Sequence, residues 1–243
     1  MCEKCGCSDM ADHGGHQGHQ RDPSVAVALS QNDRLAERNR GFCLGKRVCV
    51  VNLVSFPRSN VHALVERTVV EYGKRRRVTV LTVADFGMME AFHAHHQPVH
   101  HDSHSHTHES LAEVPAVVDA HAVGHALAHL DLDQLDLVLI ENGGSAACQA
   151  VYDLGETARV AVFSVGEGEL KPLKFPLLFA NARAAVINEI DQVGASGFAV
   201  AKARANLAQV APHAVVLELA PETGAGMEAW YAFLDEQVKT SGK

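Results

Sequence analysis

Residues 48–62 read Val-Cys-Val-Val-Asn-Leu-Val-Ser-Phe-Pro-Arg-Ser-Asn-Val-His. A β-branched apolar run ends in Ser-Phe-Pro, and Leu64, Val65, Thr68 and Val69 then recur at helical spacing over 61–72. Strand, tight loop and helix in that order commit the chain to a parallel α/β architecture, and they are the layout of a phosphate-binding loop. A working loop has glycines whose N–H groups close round phosphates, a Lys for their charge and a Ser/Thr for magnesium. This chain instead has Arg58, Asn60, Val61 and His62. The scaffold is expected and its usual chemistry is not.

The remaining chain supports the same class. A helix is expected over 24–40, strands over 47–54, 78–83, 135–141, 159–165, 185–188 and 214–219, and helices over 116–130, 173–182, 196–209 and 226–238. The last helix should bury Met227, Trp230, Tyr231 and Leu234. Strands and helices alternating at these lengths predict a doubly wound, mostly parallel sheet. The basic run Lys74-Arg75-Arg76-Arg77 between a helix and a strand reads as a solvated turn. With formal net charge -8 the chain offers no electrostatic support for a nucleic-acid partner. No apolar run reaches membrane-spanning length and no signal peptide is evident, so the expected compartment is the cytoplasm.

The unusual residues are thiols and imidazoles: six cysteines and sixteen histidines, unevenly placed. Residues 1–23 read as a Cys/His-rich tail that is disordered without metal. It carries Cys2, Cys5 and Cys7, then His13, His16 and His19. Three thiolates within six residues can converge on one borderline cation, with the terminal amine as a further donor. The plain alternative is an exposed tail with incidental cysteines. Residues 92–109 form a second His-rich stretch, with His93, His95, His96, His100, His101, His104, His106 and His108. Either it is an inserted loop holding several ions labilely, or it is a polar linker. His121, His125 and His129 fall at i, i+4 and i+8 of the helix expected over 116–130. They read as chelating pairs or as a solvated face. The resulting division is a tail over 1–23, a linker helix over 24–45 and a main domain over 46–243.

Several stretches, taken in order, resemble one family. They are Met1-Cys2-Glu3-Lys4-Cys5-Gly6-Cys7, Asn52-Leu53-Val54-Ser55, Ile140-Glu141-Asn142, Cys148, Asp153-Leu154-Gly155-Glu156, residues 166–174 (Gly-Glu-Gly-Glu-Leu-Lys-Pro-Leu-Lys) and Gly224-Ala225-Gly226-Met227. They are similar to the landmarks of the HypB family, the nickel-incorporation GTPases of nickel–iron hydrogenase maturation. The resemblance implies a P-loop NTPase fold of the SIMIBI type. It also implies nickel as cargo, with zinc as an alternative ion. The implied partners are other hydrogenase maturation proteins, the hydrogenase large subunit and a second copy of the chain. The implied nucleotide positions are Ser59, Asn60, Asp85 on the magnesium side, Asn188 and Asp191, and Cys148 matches a metal-site cysteine.

The departures lie at the chemistry. The family's Pro-Gly-Ser-Gly-Lys-Thr is here Pro57-Arg58-Ser59-Asn60-Val61-His62, and its guanine-reading Asn-Lys-x-Asp is Asn188-Glu189-Ile190-Asp191. The family's metal-binding Cys-His pair falls near Ala116-Val117. The leading expectation is therefore a nickel-holding accessory protein in which GTP and magnesium binding are impaired. A GTPase that still couples hydrolysis to nickel insertion is one alternative. A general buffer for zinc, copper or nickel is another.

Overall fold

A computed structural model of the chain describes residues 23–82, 118–143 and 146–242. Six strands, β1 (Cys49–Ser55), β2 (Val78–Thr82), β3 (Leu137–Asn142), β4 (Ala158–Ser164), β5 (Ala184–Asn188) and β6 (Val215–Glu218), form one sheet. Its order is β2-β3-β1-β4-β5-β6, and every pairing is parallel. β1, flanked by β3 and β4, is buried along its whole length, so its near-continuous apolar run suits a strand covered on both faces. The helices are α1 (Pro23–Lys46), α2 (Val61–Tyr72), α3 (Ala120–Ala128), α4 (Ala146–Val151), α5 (Lys171–Lys174), α6 (Pro176–Ala180), α7 (Val193–Ser196), α8 (Val200–Val210) and α9 (Met227–Thr240).

Alternation along β1 distributes the core. Cys49, Val51 and Leu53 face α2 and α9, where Leu64, Val65, Tyr72, Trp230 and Leu234 close one cluster. Val50 faces the other way, toward Val123 and Leu127 of α3 and Cys43 of α1. Val54, on that second face, meets Leu178 and Phe179 of α6 and Ala203 and Leu207 of α8. The expected burial of Met227, Trp230, Tyr231 and Leu234 is observed. Among the described residues no helix is long and apolar enough to cross a membrane.

α1 extends beyond Arg40 to Lys46, a stretch in which Cys43 packs into the core and Lys46 Nζ meets Asp133 Oδ2 at 2.7 Å, and two asparagines earlier in the helix satisfy backbone groups on neighbouring elements. Asn32 Nδ2 donates to Asp153 O at 2.8 Å, and its Oδ1 accepts from Ala120 N at 2.9 Å. Asn39 Nδ2 donates to Ala120 O and Leu154 O. Gly155 (φ 83°) admits this approach, since a Cβ there would sit 2.3 Å from Ala36 O. The helix expected over 173–182 is two short pieces. Pro176 starts α6 and disfavours helical backbone at Phe175, whose φ is −130°. The basic turn is exposed at Lys74, Arg75 and Arg77, yet it is pinned: Arg75 and Arg76 reach Asp235, and Arg77 forks onto Asp136.

Between the two apolar clusters of the second face runs a polar seam. Arg159 Nε donates to Glu156 Oε1 at 2.8 Å, and its Nη atoms donate to the carbonyls of Gln149 and Tyr152. Glu156 also accepts from Leu154 N at 2.8 Å and Asn52 Nδ2 at 3.3 Å. A buried guanidinium and carboxylate thus fix the chain that carries α4.

Candidate nucleotide and metal site

The loop after β1 keeps the backbone shape of a phosphate loop while changing its chemistry. Asn60, directly before α2, has φ 51° and ψ 39°. That left-handed conformation suits glycine, and asparagine is among the few side chains that tolerate it. Val61 follows and turns inward. It is 7% exposed and belongs to the apolar cluster under α2. An isopropyl group that packs on the core supplies no charge to the loop. His62, on the outer face, lies 3.4 Å through Nδ1 from Glu141 Oε2 and 3.4 Å through Nε2 from Glu66 Oε1.

The far wall comes from β4 and β5. Asn188 Nδ2 donates to Ser59 O at 2.9 Å and to Asn60 O at 3.1 Å. Glu189, itself left-handed at φ 60°, accepts from Asn60 Nδ2 at 3.1 Å. Ser164 Oγ donates to Arg58 O at 3.0 Å. Three tethers therefore hold the loop, and one of them places a carboxylate beside it. Lys171 stands near, its Nζ 3.8 Å over the Phe56 ring and 3.0 Å from Glu167 Oε1. Ser59 Oγ and Asn188 Oδ1 are buried without a hydrogen-bond partner. Asp191 is exposed on the turn Ile190–Gln192. Of the expected nucleotide residues, Ser59, Asn60 and Asn188 are thus brought together. Asp85 lies outside the described residues.

The metal ligands expected from the sequence are placed as follows. Cys2, Cys5, Cys7, His13, His16, His19 and all eight histidines of residues 92–109 lie outside the described residues. Cys148 is on α4, and its side chain is likewise outside them. Among the described residues no three His, Cys, Asp or Glu side chains converge as a metal site. Gln149 is the residue that sequence reasoning missed. It accepts from Ser55 N at 2.8 Å and donates to Ser55 O at 3.1 Å, clamping α4 to the end of β1. Its only signal was a polar side chain within a short apolar stretch.

Cys43 and Cys49 are core residues, 3% and 0% exposed, and burial pushes each thiol up to about 11. The thiolate is the reactive and metal-binding form, so neither is suited to the site. At pH 8 iodoacetamide should leave both unmodified in the folded protein and alkylate both in urea, as read by peptide mass spectrometry. Appreciable labelling of the folded state would contradict their burial. Because folding raises these pKa values, their contribution to stability is complete below about pH 9 and is lost as the pH rises through about 11.

The comparisons with known proteins agree on one family. The hydrogenase maturation factor HypB of Azotobacter vinelandii is 36% identical over 221 residues, which cover 87% of this chain and 68% of that protein. The Escherichia coli K12 HypB is 32% identical over 238 residues, 96% of this chain and 78% of that protein. The probable HypB of Methanocaldococcus jannaschii is 30% identical, with 87% and 93% covered. This chain belongs to the HypB family. The crystal structure of HypB from Archaeoglobus fulgidus superposes with a TM-score of 0.69 at 30% identity, covering 85% of this chain and 98% of that one. HypB from Helicobacter pylori, solved in complex with nickel, shares the fold at 22% identity and a TM-score of 0.69, with 86% and 96% covered. No protein-family model matches the chain.

In this HypB family member the loop carries no lysine. A loop lysine must neutralise the outer phosphates, and Val61 cannot. Glu189 adds negative charge where phosphate would need positive, and His62 replaces the hydroxyl that would face magnesium. The two orphan atoms, Ser59 Oγ and Asn188 Oδ1, suit a small polar guest but do not supply the missing cation.

Proposed function

We propose that this HypB family member is an accessory protein of hydrogenase maturation that holds and delivers nickel and has lost effective GTP binding. The observation that carries the reading is Val61: the position needed for the phosphate-binding lysine is part of the hydrophobic core. Nickel would be held as cargo by Cys2, Cys5 and Cys7, with His13, His16, His19 and the histidines of residues 92–109 taking further ions. Thiolate and imidazole together favour nickel, zinc and copper over magnesium. The chain would act in the cytoplasm with other maturation proteins and the hydrogenase large subunit, and Cys148 would be a further ligand. Its organisation would be a metal-binding tail and a GTPase-like domain carrying a His-rich insert.

A second reading has one observation in its favour. The loop retains a left-handed residue at Asn60 directly before α2, and Asn188 tethers it from β5. On that reading the protein is still a GTPase coupled to nickel insertion. Calorimetric titration of the full-length protein with GTP and GDP in magnesium, metal-free and nickel-loaded, separates the two. No binding in either state is the expected result. Micromolar affinity, about −8 kcal/mol, would overturn the proposal.

A further inference from the structure

Two arginines lie side by side at the amino ends of β4 and β5, whereas the loop after β1 lies at the carboxyl ends of the strands. Val160 pairs with Ala184 in the parallel register, so Arg159 and Arg183, one residue earlier, are neighbours, and Arg183 N donates to Arg159 O at 2.8 Å. Both border a cavity of about 360 Å³, within the range of small-molecule sites, which Arg40, Asp153, Glu156 and Asn181 also line. The charges around it do not balance. Arg40 is taken by Asp153 through contacts of 2.8 and 2.9 Å, and Arg159 is taken by Glu156. The exposed Arg183 guanidinium and the Asn181 side chain have no hydrogen-bond partner among the described residues.

We propose that this cavity binds a carboxylate, from a small free acid or from the carboxyl terminus of a peptide, with Arg183 as its anchoring cation. A guanidinium presents parallel N–H donors that match the two oxygens of a carboxylate, and the Asn181 amide borders the same cavity as a further donor. Neighbouring guanidiniums on adjacent strands repel each other. Glu156 offsets that repulsion for Arg159, and Arg183 is left without a counter-charge. With each acid assigned to its arginine, one positive charge remains, which suits a monoanion. A phosphate dianion would bring a second negative charge toward Asp153 and Glu156, so the charge pattern favours a carboxylate.

The frame of the site is already ordered. Besides the bond to Arg159 O, the Arg183 carbonyl accepts from Val215 N at 3.0 Å, so binding has only the side chain to immobilise. Asn181 directly follows α6 as its C-cap. Asp153 does not compete for Arg183, because both its oxygens take Arg40 and one also accepts from Gly155 N at 2.8 Å. Val151, 44% exposed at the end of α4, gives the cavity an apolar wall suited to a short alkyl group behind the carboxylate. The site goes beyond the function proposed above and does not rest on it, because none of its residues is assigned to nickel or to nucleotide.

Thermal unfolding of the full-length protein, titrated with sodium propionate, tests the site. A ligand that binds only the folded chain raises the midpoint by mass action, by about 3–6 °C at ten times its dissociation constant. Propionamide, and sodium chloride at matched ionic strength, should not raise it. Arg183→Gln should abolish the rise. Because the Arg183 side chain is exposed and unpartnered, that variant should keep the wild-type midpoint in chloride. Arg34→Gln, which alters an exposed arginine on α1, should keep the rise. A midpoint unmoved by propionate would overturn the assignment. So would a rise that survives Arg183→Gln, one lost equally in Arg34→Gln, or one that inorganic phosphate matches. The peptide acetyl-Gly-Gly-Gly-Val, with a free or an amidated terminus, then identifies the source. Binding of the free acid at least about tenfold tighter than propionate, with none by the amide, supports the site and assigns it to a chain terminus. Equal affinity for the free-acid peptide and propionate supports the site and assigns it to a small free acid.

Discussion

Glu156→Ala should destabilise the domain by roughly 3–5 kcal/mol, the typical result of removing one partner from a buried ion pair. Glu156 and Arg159 have side chains 6% and 7% exposed and meet at 2.8 Å. Alanine would leave the guanidinium desolvated without a counter-charge, and Leu154 N would lose its acceptor. For a domain of this size the midpoint should fall by about 6–20 °C. Replacing both partners, as Glu156→Met with Arg159→Met, should recover much of the loss, because no stranded charge remains. Urea denaturation of the single and double variants measures both. A cost below about 1 kcal/mol for Glu156→Ala would mean that water reaches the seam.

The consequence reaches beyond stability. Arg159 also donates to Gln149 O and Tyr152 O, on either side of the end of α4. Gln149 in turn clamps Ser55 at the entrance to the loop. The seam therefore positions both the phosphate-loop remnant and the backbone at Cys148. The stretch Asp153-Leu154-Gly155-Glu156 is the joint: Asp153 pairs with Arg40, Gly155 admits α1, and Glu156 holds Arg159.

Much of this fold was legible in the sequence because its signals are local and agree with one another. The apolar run of β1, the helical spacing of α2 with bounds Val61–Tyr72, and the apolar face of α9 are each local patterns. What periodicity could not show depends on contacts between distant residues. α1 is docked by asparagines at 32 and 39 whose backbone partners lie more than eighty residues away, and it runs to Lys46, which meets Asp133. α4 was hidden because six residues carry too little pattern to distinguish helix from loop. At the site, the loss of lysine could be read directly. Its consequence, an inward-packed Val61 and an Asn60–Glu189 tie across the cleft, required the fold. Sequence showed a missing charge, and the structure adds a charge of the wrong sign.

That second observation leads to the larger functional prediction. Combining Asn60→Gly, Val61→Lys, His62→Thr and Glu189→Lys should raise affinity for magnesium-GTP at least about 100-fold, roughly 3 kcal/mol. Lysine at 61 can cover the core with its methylenes while carrying its ammonium toward the cleft. Glycine at 60 takes the left-handed conformation without strain and removes the amide that binds Glu189. Threonine restores a hydroxyl facing the metal, and lysine at 189 reverses the charge beside the loop. Glu189→Lys alone should give a smaller gain, because Val61 still offers no charge. Calorimetry with GTP and GDP, alongside circular dichroism to verify folding, reads the outcome. A folded quadruple variant with unchanged affinity would show that the loop is not what denies the nucleotide. The cause would then have to lie elsewhere in the chain, and Val61 would lose its place as the deciding residue.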